Sequence, residues 1–171
     1  QCGNGARCFA RFVFDNGLTS RKSIPVETAS GLIFLQLEDD SQVTVNMGTP
    51  NFNPPEIPFV VQGPTEEDPE YYSLKVDGEK YAIGAVSIGN PHAVLLVESI
   101  DEAPVEVLGR AMECHAQFPQ RVNVGFMEIV DRSHIRLRVY ERGSAETLAC
   151  GSGACAAIAV GIRNRLLDDS V

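Results

Sequence analysis

Cys150-Gly151-Ser152-Gly153-Ala154 repeats, near the end of the chain, the pattern of Cys2-Gly3-Asn4-Gly5-Ala6 at its start. Both segments read Cys-Gly-x-Gly-Ala, and each opens a stretch that favours a helix. A thiol at a glycine-rich helix start lies beside backbone N–H groups and the positive end of the helix dipole, which favour an anion. We therefore expect this position to lower the pKa of each cysteine and to make a thiolate available.

The repetition favours a catalytic role over a packing role. Most cysteines are small buried hydrophobic residues, and we expect this of Cys8 and Cys155, farther along the two helices. Two thiols in the same glycine context instead predict a base and an acid that face one substrate from opposite sides. Cys2 and Cys150 are therefore the candidate catalytic residues for inversion of a carbon centre.

Backbone N–H groups at the two helix starts are candidate donors to a substrate carboxylate. They belong to Gly3, Asn4, Gly151 and Ser152. When an α-proton leaves, the carboxylate gains enolate character, and donors that are already in place stabilise that charge. We predict that these four residues bind the substrate.

Glu141-Arg142-Gly143 stands just upstream of Cys150, at the end of a predicted strand. The acid could hold an ammonium group, and the arginine could hold a carboxylate through two hydrogen bonds. A surface ion pair is the alternative interpretation of this spacing.

Three other polar positions are candidates of weaker specificity. Asn90 and His92 lie in Gly89-Asn90-Pro91-His92, between two apolar strands, and His92 could tune a thiol. A lone histidine at a strand end is more often merely hydrogen-bonded. Asn123 starts a strand and could offer its side-chain amide.

Composition limits the classes of partner. The 171 residues carry a formal charge of −9, from 14 Lys+Arg against 23 Asp+Glu, which argues against a nucleic acid or an anionic membrane as partner. The five cysteines include no Cys-x-x-Cys, and no histidine pair has zinc-finger spacing, so we expect no metal site and reduced thiols in a reducing compartment. No apolar run is long enough to span a membrane.

No cofactor is required by these residues. The three lysines, Lys22, Lys75 and Lys80, all lie beside turns, which is a poor setting for a pyridoxal Schiff base. No Gly-x-Gly-x-x-Gly follows a strand to hold a dinucleotide.

Hydrophobic periodicity predicts helices at Gly3–Phe14, Val105–Phe118 and Gly151–Leu167. Strands are predicted at Ser23–Thr28, Leu32–Leu37, Gln42–Met47, Tyr72–Val76, Tyr81–Ile88, Ala93–Val97, Val122–Val130 and Ile135–Tyr140. A segment over residues 48–69 holds six of the ten prolines and separates two strand-rich blocks.

Three segments together resemble the diaminopimelate epimerases. They are Cys2-Gly3-Asn4-Gly5-Ala6-Arg7-Cys8, Gly89-Asn90-Pro91-His92, and the run from Glu141-Arg142-Gly143 through Thr147-Leu148-Ala149-Cys150-Gly151-Ser152-Gly153. The resemblance covers the whole chain, in order. Relatives of proline racemase share the two cysteines in different surroundings, and phenazine-biosynthesis relatives lack the cysteine pair.

The resemblance implies an α/β fold of two pseudo-symmetric domains, each a mostly antiparallel sheet wrapped around a central helix, with the active site in the cleft between them. It implies interconversion of L,L- and meso-diaminopimelate without pyridoxal phosphate, in bacterial lysine and cell-wall biosynthesis, by a cytoplasmic and often homodimeric enzyme. In this view Cys2 and Cys150 are base and acid, His92 supports the thiols, and the substrate's amino and carboxylate groups are held by Asn90, Asn123, Glu141 and Arg142.

Family members have a longer segment before the first cysteine motif and continue beyond the point that corresponds to Val171. We therefore expect residues 1–47 to be the later part of the first domain, and residues 48–171 to be most of the second. Two alternatives stay open. One is a different amino-acid racemase of the same fold, and the other is that this stretch alone is an inactive truncated domain.

Overall fold

The computed structural model describes residues 3–28, 31–63 and 70–171. The chain divides into two units, Gln1–Thr49 and Pro50–Val171. The first unit places helix α1 (Gly3–Asp15) on a three-stranded antiparallel sheet with the strand order β1 (Ser23–Thr28), β2 (Gly31–Leu37), β3 (Val43–Val45). Its core is formed by Ala10, Ile24, Leu35 and Leu37.

Helix α1 ends where a glycine permits the chain to turn. Gly17 has a φ of +68°, in the left-handed region that favours glycine. Its N–H donates to the Phe14 carbonyl at 3.0 Å, and the Leu18 N–H donates to the Val13 carbonyl at 2.9 Å. Cys8 of this helix is exposed, so the expectation that it is buried is wrong. Its neighbours on that face, Phe9 and Phe12, are exposed as well.

The second unit is built on a six-stranded sheet whose strands follow one another in chain order. The strands are β4 (Tyr72–Val76), β5 (Glu79–Ser87), β6 (Pro91–Leu96), β7 (Asn123–Asp131), β8 (His134–Glu141) and β9 (Ala145–Thr147). Neighbouring strands are antiparallel except for β6 and β7, which are parallel. A parallel pair needs a crossover connection, and helix α2 (Val105–Glu113) supplies it.

Helix α3 (Gly151–Arg163) and helix α2 cover opposite faces of this sheet. A Cβ added at Gly109 of α2 would lie 2.6 Å from the Tyr140 Cβ, whereas one added at Gly153 of α3 would lie 2.9 Å from the Val139 Cγ2. Because successive strand residues point to opposite faces, Val139 and Glu141 of β8 lie on the side of α3. His92 and Val94 of β6 share one face in the same way.

Two helices are shorter than predicted. The apolar pattern extends past each helix end because residues beyond it also pack into the unit. Helix α2 ends at Glu113 instead of Phe118. Phe118 lies in a turn after the helix, and its side chain is buried in the core. Helix α3 ends at Arg163 instead of Leu167, and Leu167 packs back against Gly161. The short strand β9 and a 3₁₀ turn at Pro54–Glu56 were not predicted. No helix in residues 3–28, 31–63 or 70–171 is long and apolar enough to cross a membrane.

Candidate active site

Cys150 is the N-cap residue of α3. Its backbone is extended, with φ −131° and ψ 106°, and its Sγ accepts a hydrogen bond from the Gly153 N–H at 3.4 Å. A Cβ at residue 153 would lie 3.3 Å from that Sγ as well as 2.9 Å from Val139. The second glycine of the motif therefore permits the start of α3 to approach both strand β8 and the thiol.

The pKa of Cys150 is raised, so the expectation of a lowered pKa is wrong for this cysteine. Burial is the largest cause, and the Glu141 carboxylate raises the pKa further through its charge and a hydrogen bond. The Ser152 hydroxyl and the Gly153 N–H lower it, but by less. The helix start acts in the predicted direction, and the half-buried setting and the nearby acid outweigh it. Cys150 thus holds its proton as a thiol.

A polar network connects Cys150 to strand β6. The Ser152 Oγ lies 3.6 Å from the Cys150 Sγ and 3.1 Å from the His92 Nε2. The Asn90 Nδ2 is 3.4 Å from the same hydroxyl, and its Oδ1 is 3.3 Å from the His92 Nε2. His92 is fully buried and Ser152 is 5% exposed, so the centre of the network is shielded from solvent, whereas Asn90 and Cys150 are half-buried.

His92 is neutral in this setting. Burial, and then the Arg142 charge, lower the pKa of its imidazole to about 3. Among the described residues its Nδ1 has no hydrogen-bond partner. A buried N–H without an acceptor is costly, so the single proton belongs on Nε2, where Ser152 and Asn90 accept it. The Ser152 hydroxyl then has its own proton left to donate to the Cys150 sulfur.

The Glu141-Arg142-Gly143 segment forms the turn between β8 and β9. The Ser144 N–H donates to the Glu141 carbonyl at 3.1 Å, and Gly143 has a φ of +79°, which favours glycine. The Arg142 N–H donates to the Asn123 Oδ1 at 3.0 Å, and the Arg142 Nη1 donates to the Gln120 carbonyl at 2.9 Å.

Asn123 joins two of the candidate segments. While its Oδ1 holds the Arg142 backbone, its Nδ2 donates to the Pro91 carbonyl at 2.9 Å, and the residue is 4% exposed. The amide of the first residue of β7 therefore fixes the turn that carries Arg142 relative to the strand that carries His92.

Thr147 lies in the second cysteine motif, but no role was predicted for it. Its Oγ1 donates a hydrogen bond to the Glu141 Oε1 and so orients that carboxylate toward the start of α3. Strand β9 is only three residues long, too short for a periodic signal, and Thr147 reaches Glu141 only because β9 folds back on β8. The motif that carries the family resemblance includes Thr147, but its spacing from Glu141 does not indicate a contact unless the hairpin is recognised.

The first motif is described only in part. Gly3 is buried at the start of α1, and the Asn4 Oδ1 accepts a hydrogen bond from the Arg7 Nη2 at 2.9 Å. Cys2, predicted to be the second catalytic thiol, lies outside the described residues. The second unit thus brings together Asn90, His92, Cys150 and Ser152, places Glu141 beside the thiol, and joins Asn123 to Arg142. Gly151 is the first residue of α3.

No cluster of three or more His, Cys, Asp or Glu side chains in the described part of the chain could hold a metal ion. Cys155, farther along α3, is half-buried, and burial raises its pKa.

Comparison with solved structures shows the fold of the proline racemase-like epimerases. A probable proline racemase from Agrobacterium radiobacter superposes with a TM-score of 0.66 at 17% identity, over 98% of this chain and 54% of that one. A hydroxyproline epimerase from Agrobacterium vitis gives a TM-score of 0.64 at 17% identity, over 98% and 53%. A Bacillus anthracis protein of the PhzF phenazine-biosynthesis family gives 0.57 at 15%, over 94% and 56%.

Within this fold, the chain belongs to the diaminopimelate epimerase family, whose model matches residues 1–53 and 84–171. Diaminopimelate epimerases from Nitrosospira multiformis and Thioalkalivibrio sulfidiphilus are 54% and 57% identical to it over all 171 residues. The diaminopimelate epimerase of Laribacter hongkongensis is 58% identical over 168 residues, or 98% of the chain. The chain spans 59–60% of the length of these relatives.

Proposed function

We propose that this chain carries the thiols and most of the substrate-binding groups of a cofactor-independent epimerase that interconverts L,L- and meso-diaminopimelate. The observation that carries the proposal is the setting of Cys150. It caps α3 in a network with Asn90 and the buried Ser152 and His92, and the Glu141 carboxylate lies beside it. The family supports the substrate class.

The reaction is a proton transfer on each face of the α-carbon. The thiolate of one cysteine takes the α-proton, and the electrons of the broken C–H bond move into the carboxylate as enolate character. The other thiol then gives its proton to the opposite face, and the new C–H bond takes those electrons back. After one turnover the two sulfurs have exchanged protonation states, and the reverse reaction starts from there.

Cys150 suits the role of the waiting acid. Its raised pKa keeps the proton on sulfur until the substrate carbanion develops. When the proton leaves, the Ser152 hydroxyl and the Gly153 N–H donate to the new thiolate, since both already lie within hydrogen-bond reach. The partner base in this proposal is Cys2.

The other candidate residues hold the substrate. Glu141 binds the ammonium group, and Arg142 binds a carboxylate. The side-chain amides of Asn90 and Asn123 add hydrogen bonds to the substrate. The carboxylate on the reacting carbon accepts hydrogen bonds from the backbone N–H groups of Gly3, Asn4, Gly151 and Ser152. Thr147 holds Glu141 in place.

The remaining parts of the proposal follow the family. Residues 1–47 are the later part of one pseudo-symmetric domain, and residues 48–171 are most of the other. The enzyme works as a homodimer in the bacterial cytoplasm, in the synthesis of lysine and of peptidoglycan precursors.

Substrate protection of the thiols tests this proposal. The full-length reduced protein is alkylated near neutral pH with and without L,L-diaminopimelate, and each cysteine is followed by peptide mass spectrometry. We expect the substrate to protect Cys2 and Cys150, with Cys155 as the internal control that it does not protect. Protection by proline or hydroxyproline instead would favour a different racemase of this fold, which the structural likeness makes the second candidate.

A further inference from the structure

Glu113, the last residue of α2, is a carboxylate buried outside the network around Cys150. Only 4% of its surface is exposed. A buried charge is costly unless it is paired and hydrogen-bonded, so its partners indicate what the residue does.

Two donors converge on one oxygen of this carboxylate. The Gly143 N–H and the Arg121 Nη2 each lie 2.6 Å from the Glu113 Oε1. Burial by itself would raise the pKa of Glu113, but these two donors, together with the Cys114 thiol on the Oε2, outweigh it and hold the pKa below its ordinary value. The carboxylate is therefore ionised at neutral pH, and both hydrogen bonds are charge-assisted.

The Gly143 contact falls on the turn that carries two candidate substrate-binding residues. The N–H groups of Arg142 and Gly143 follow one another in the chain, and each meets a buried acceptor, Asn123 from β7 and Glu113 from α2. Two successive N–H groups of one turn are thus held from two different elements, which restricts the position of the turn more than either contact alone.

We propose that Glu113 is a positioning residue for substrate binding: by holding the Gly143 N–H, it sets where the Glu141 carboxylate and the Arg142 guanidinium lie. This inference rests on the proposed function, in which those two groups bind the charged ends of an α-amino acid. Glu113 itself does not touch the substrate.

The ion pair and the turn contact can be separated by substitution. Arg121→Gln removes the cation, whose side chain is half-exposed, and leaves the carboxylate on Gly143. Glu113→Asp keeps the charge but shortens the side chain by one carbon. The flexible Arg121 side chain can extend to follow it, whereas the Gly143 N–H has no side chain that could extend, so we expect that hydrogen bond to be weakened or lost.

The experiment compares wild type, Glu113→Asp, Glu113→Gln and Arg121→Gln in the full-length protein. Readouts are KM and kcat for L,L-diaminopimelate, the melting temperature, and the ¹H–¹⁵N signal of the Gly143 amide. We expect Glu113→Asp to shift the Gly143 signal upfield and to raise KM about tenfold, with a smaller change in kcat, as loss of a hydrogen bond to a charged group predicts. Glu113→Gln keeps an acceptor oxygen at the same distance along the side chain. It should therefore retain most of the substrate affinity that Glu113→Asp loses.

Arg121→Gln is the matched control. It should lower the melting temperature but leave KM and the Gly143 signal near wild type. Equal increases in KM in Arg121→Gln and Glu113→Asp, or an unchanged KM where the Gly143 signal has moved, would overturn the positioning role. If the wild type does not epimerise diaminopimelate, the proposed function fails and the substrate-positioning role falls with it, while a shifted Gly143 signal would still report the turn contact separately.

Discussion

The Ser152 Oγ lies 3.6 Å from the Cys150 Sγ. Ser152 follows Cys150 by two residues, in the first turn of α3. The same hydroxyl lies 3.1 Å from the Nε2 of His92, a neutral histidine whose proton points at the serine. The histidine thus fixes the direction of the serine hydroxyl without placing a positive charge beside the sulfur. In the proposed reaction, the Cys150 thiolate is therefore stabilised by two neutral donors, the Ser152 hydroxyl and the Gly153 N–H.

Opposite effects on the Cys150 thiol are expected from its two polar neighbours. Ser152→Ala removes a donor that lowers the pKa, so Cys150 alkylation below that pKa should slow by about tenfold. Glu141→Gln removes a carboxylate that raises the pKa, so alkylation should become faster. The measurement is the pH dependence of the alkylation rate at Cys150, followed by peptide mass spectrometry with Cys155 as internal reference. Slower alkylation in both variants would contradict this electrostatic account.

Stability should depend on pH through His92. Its folded-state pKa is about 3 against an ordinary value of 6.5, so the unfolded chain takes up a proton over a range in which the folded protein does not. Unfolding is therefore favoured as the pH falls from 6.5 toward 3. Between pH 6.5 and pH 5 this histidine should cost about 1 to 2 kcal/mol in the free energy of unfolding. Urea titrations of wild type and His92→Gln at both pH values measure it, and an equal pH dependence in both proteins would refute a neutral buried His92.

Gly153→Ala should destabilise the protein by about 1 to 3 kcal/mol, because the added methyl group would overlap Val139. The Cβ would lie 2.9 Å from the Val139 Cγ2. Val139→Ala in the same protein should recover part of the loss, as a double-mutant cycle by thermal or urea unfolding can show.

The matched control for this substitution is Gly125→Ala. There the nearest atom outside the immediate chain would be 3.6 Å away, an ordinary contact, so we expect little loss of stability. A Gly125→Ala variant as unstable as Gly153→Ala would mean that the loss reflects glycine itself and not the close approach of α3 to β8.

Periodicity and motif spacing were enough to predict that a helix starts directly after Cys150, because the glycine pattern and the apolar face of α3 are both local features. The same reasoning placed helix ends too late at Phe118 and Leu167, since side chains packed from turns continue an apolar pattern that belongs to tertiary structure. The parallel pairing of β6 and β7, which brings His92 beside Asn123, also lies beyond a local pattern.

The sign of the Cys150 pKa shift illustrates a second limit. A sequence shows the helix start that lowers the pKa, but burial of the thiol and the Glu141 carboxylate oriented by Thr147 arise only when β8, β9 and α3 meet. Glu113 was missed for the same reason, since 30 residues separate it from Gly143. Contacts between distant residues decided these features of the site.

In the proposed reaction, Cys150 exchanges a proton with the α-carbon of diaminopimelate. The most direct test incubates the full-length reduced protein with L,L-diaminopimelate in deuterated water and follows the α-position by NMR. We expect meso-diaminopimelate that carries deuterium at the inverted carbon. This product should form about 10² to 10⁴ times more slowly in Cys150→Ala, as loss of a general acid predicts, and at the wild-type rate in Cys155→Ala. Inversion by Cys150→Ala at the wild-type rate, or no deuterated product from folded and reduced wild-type protein, would contradict the claim.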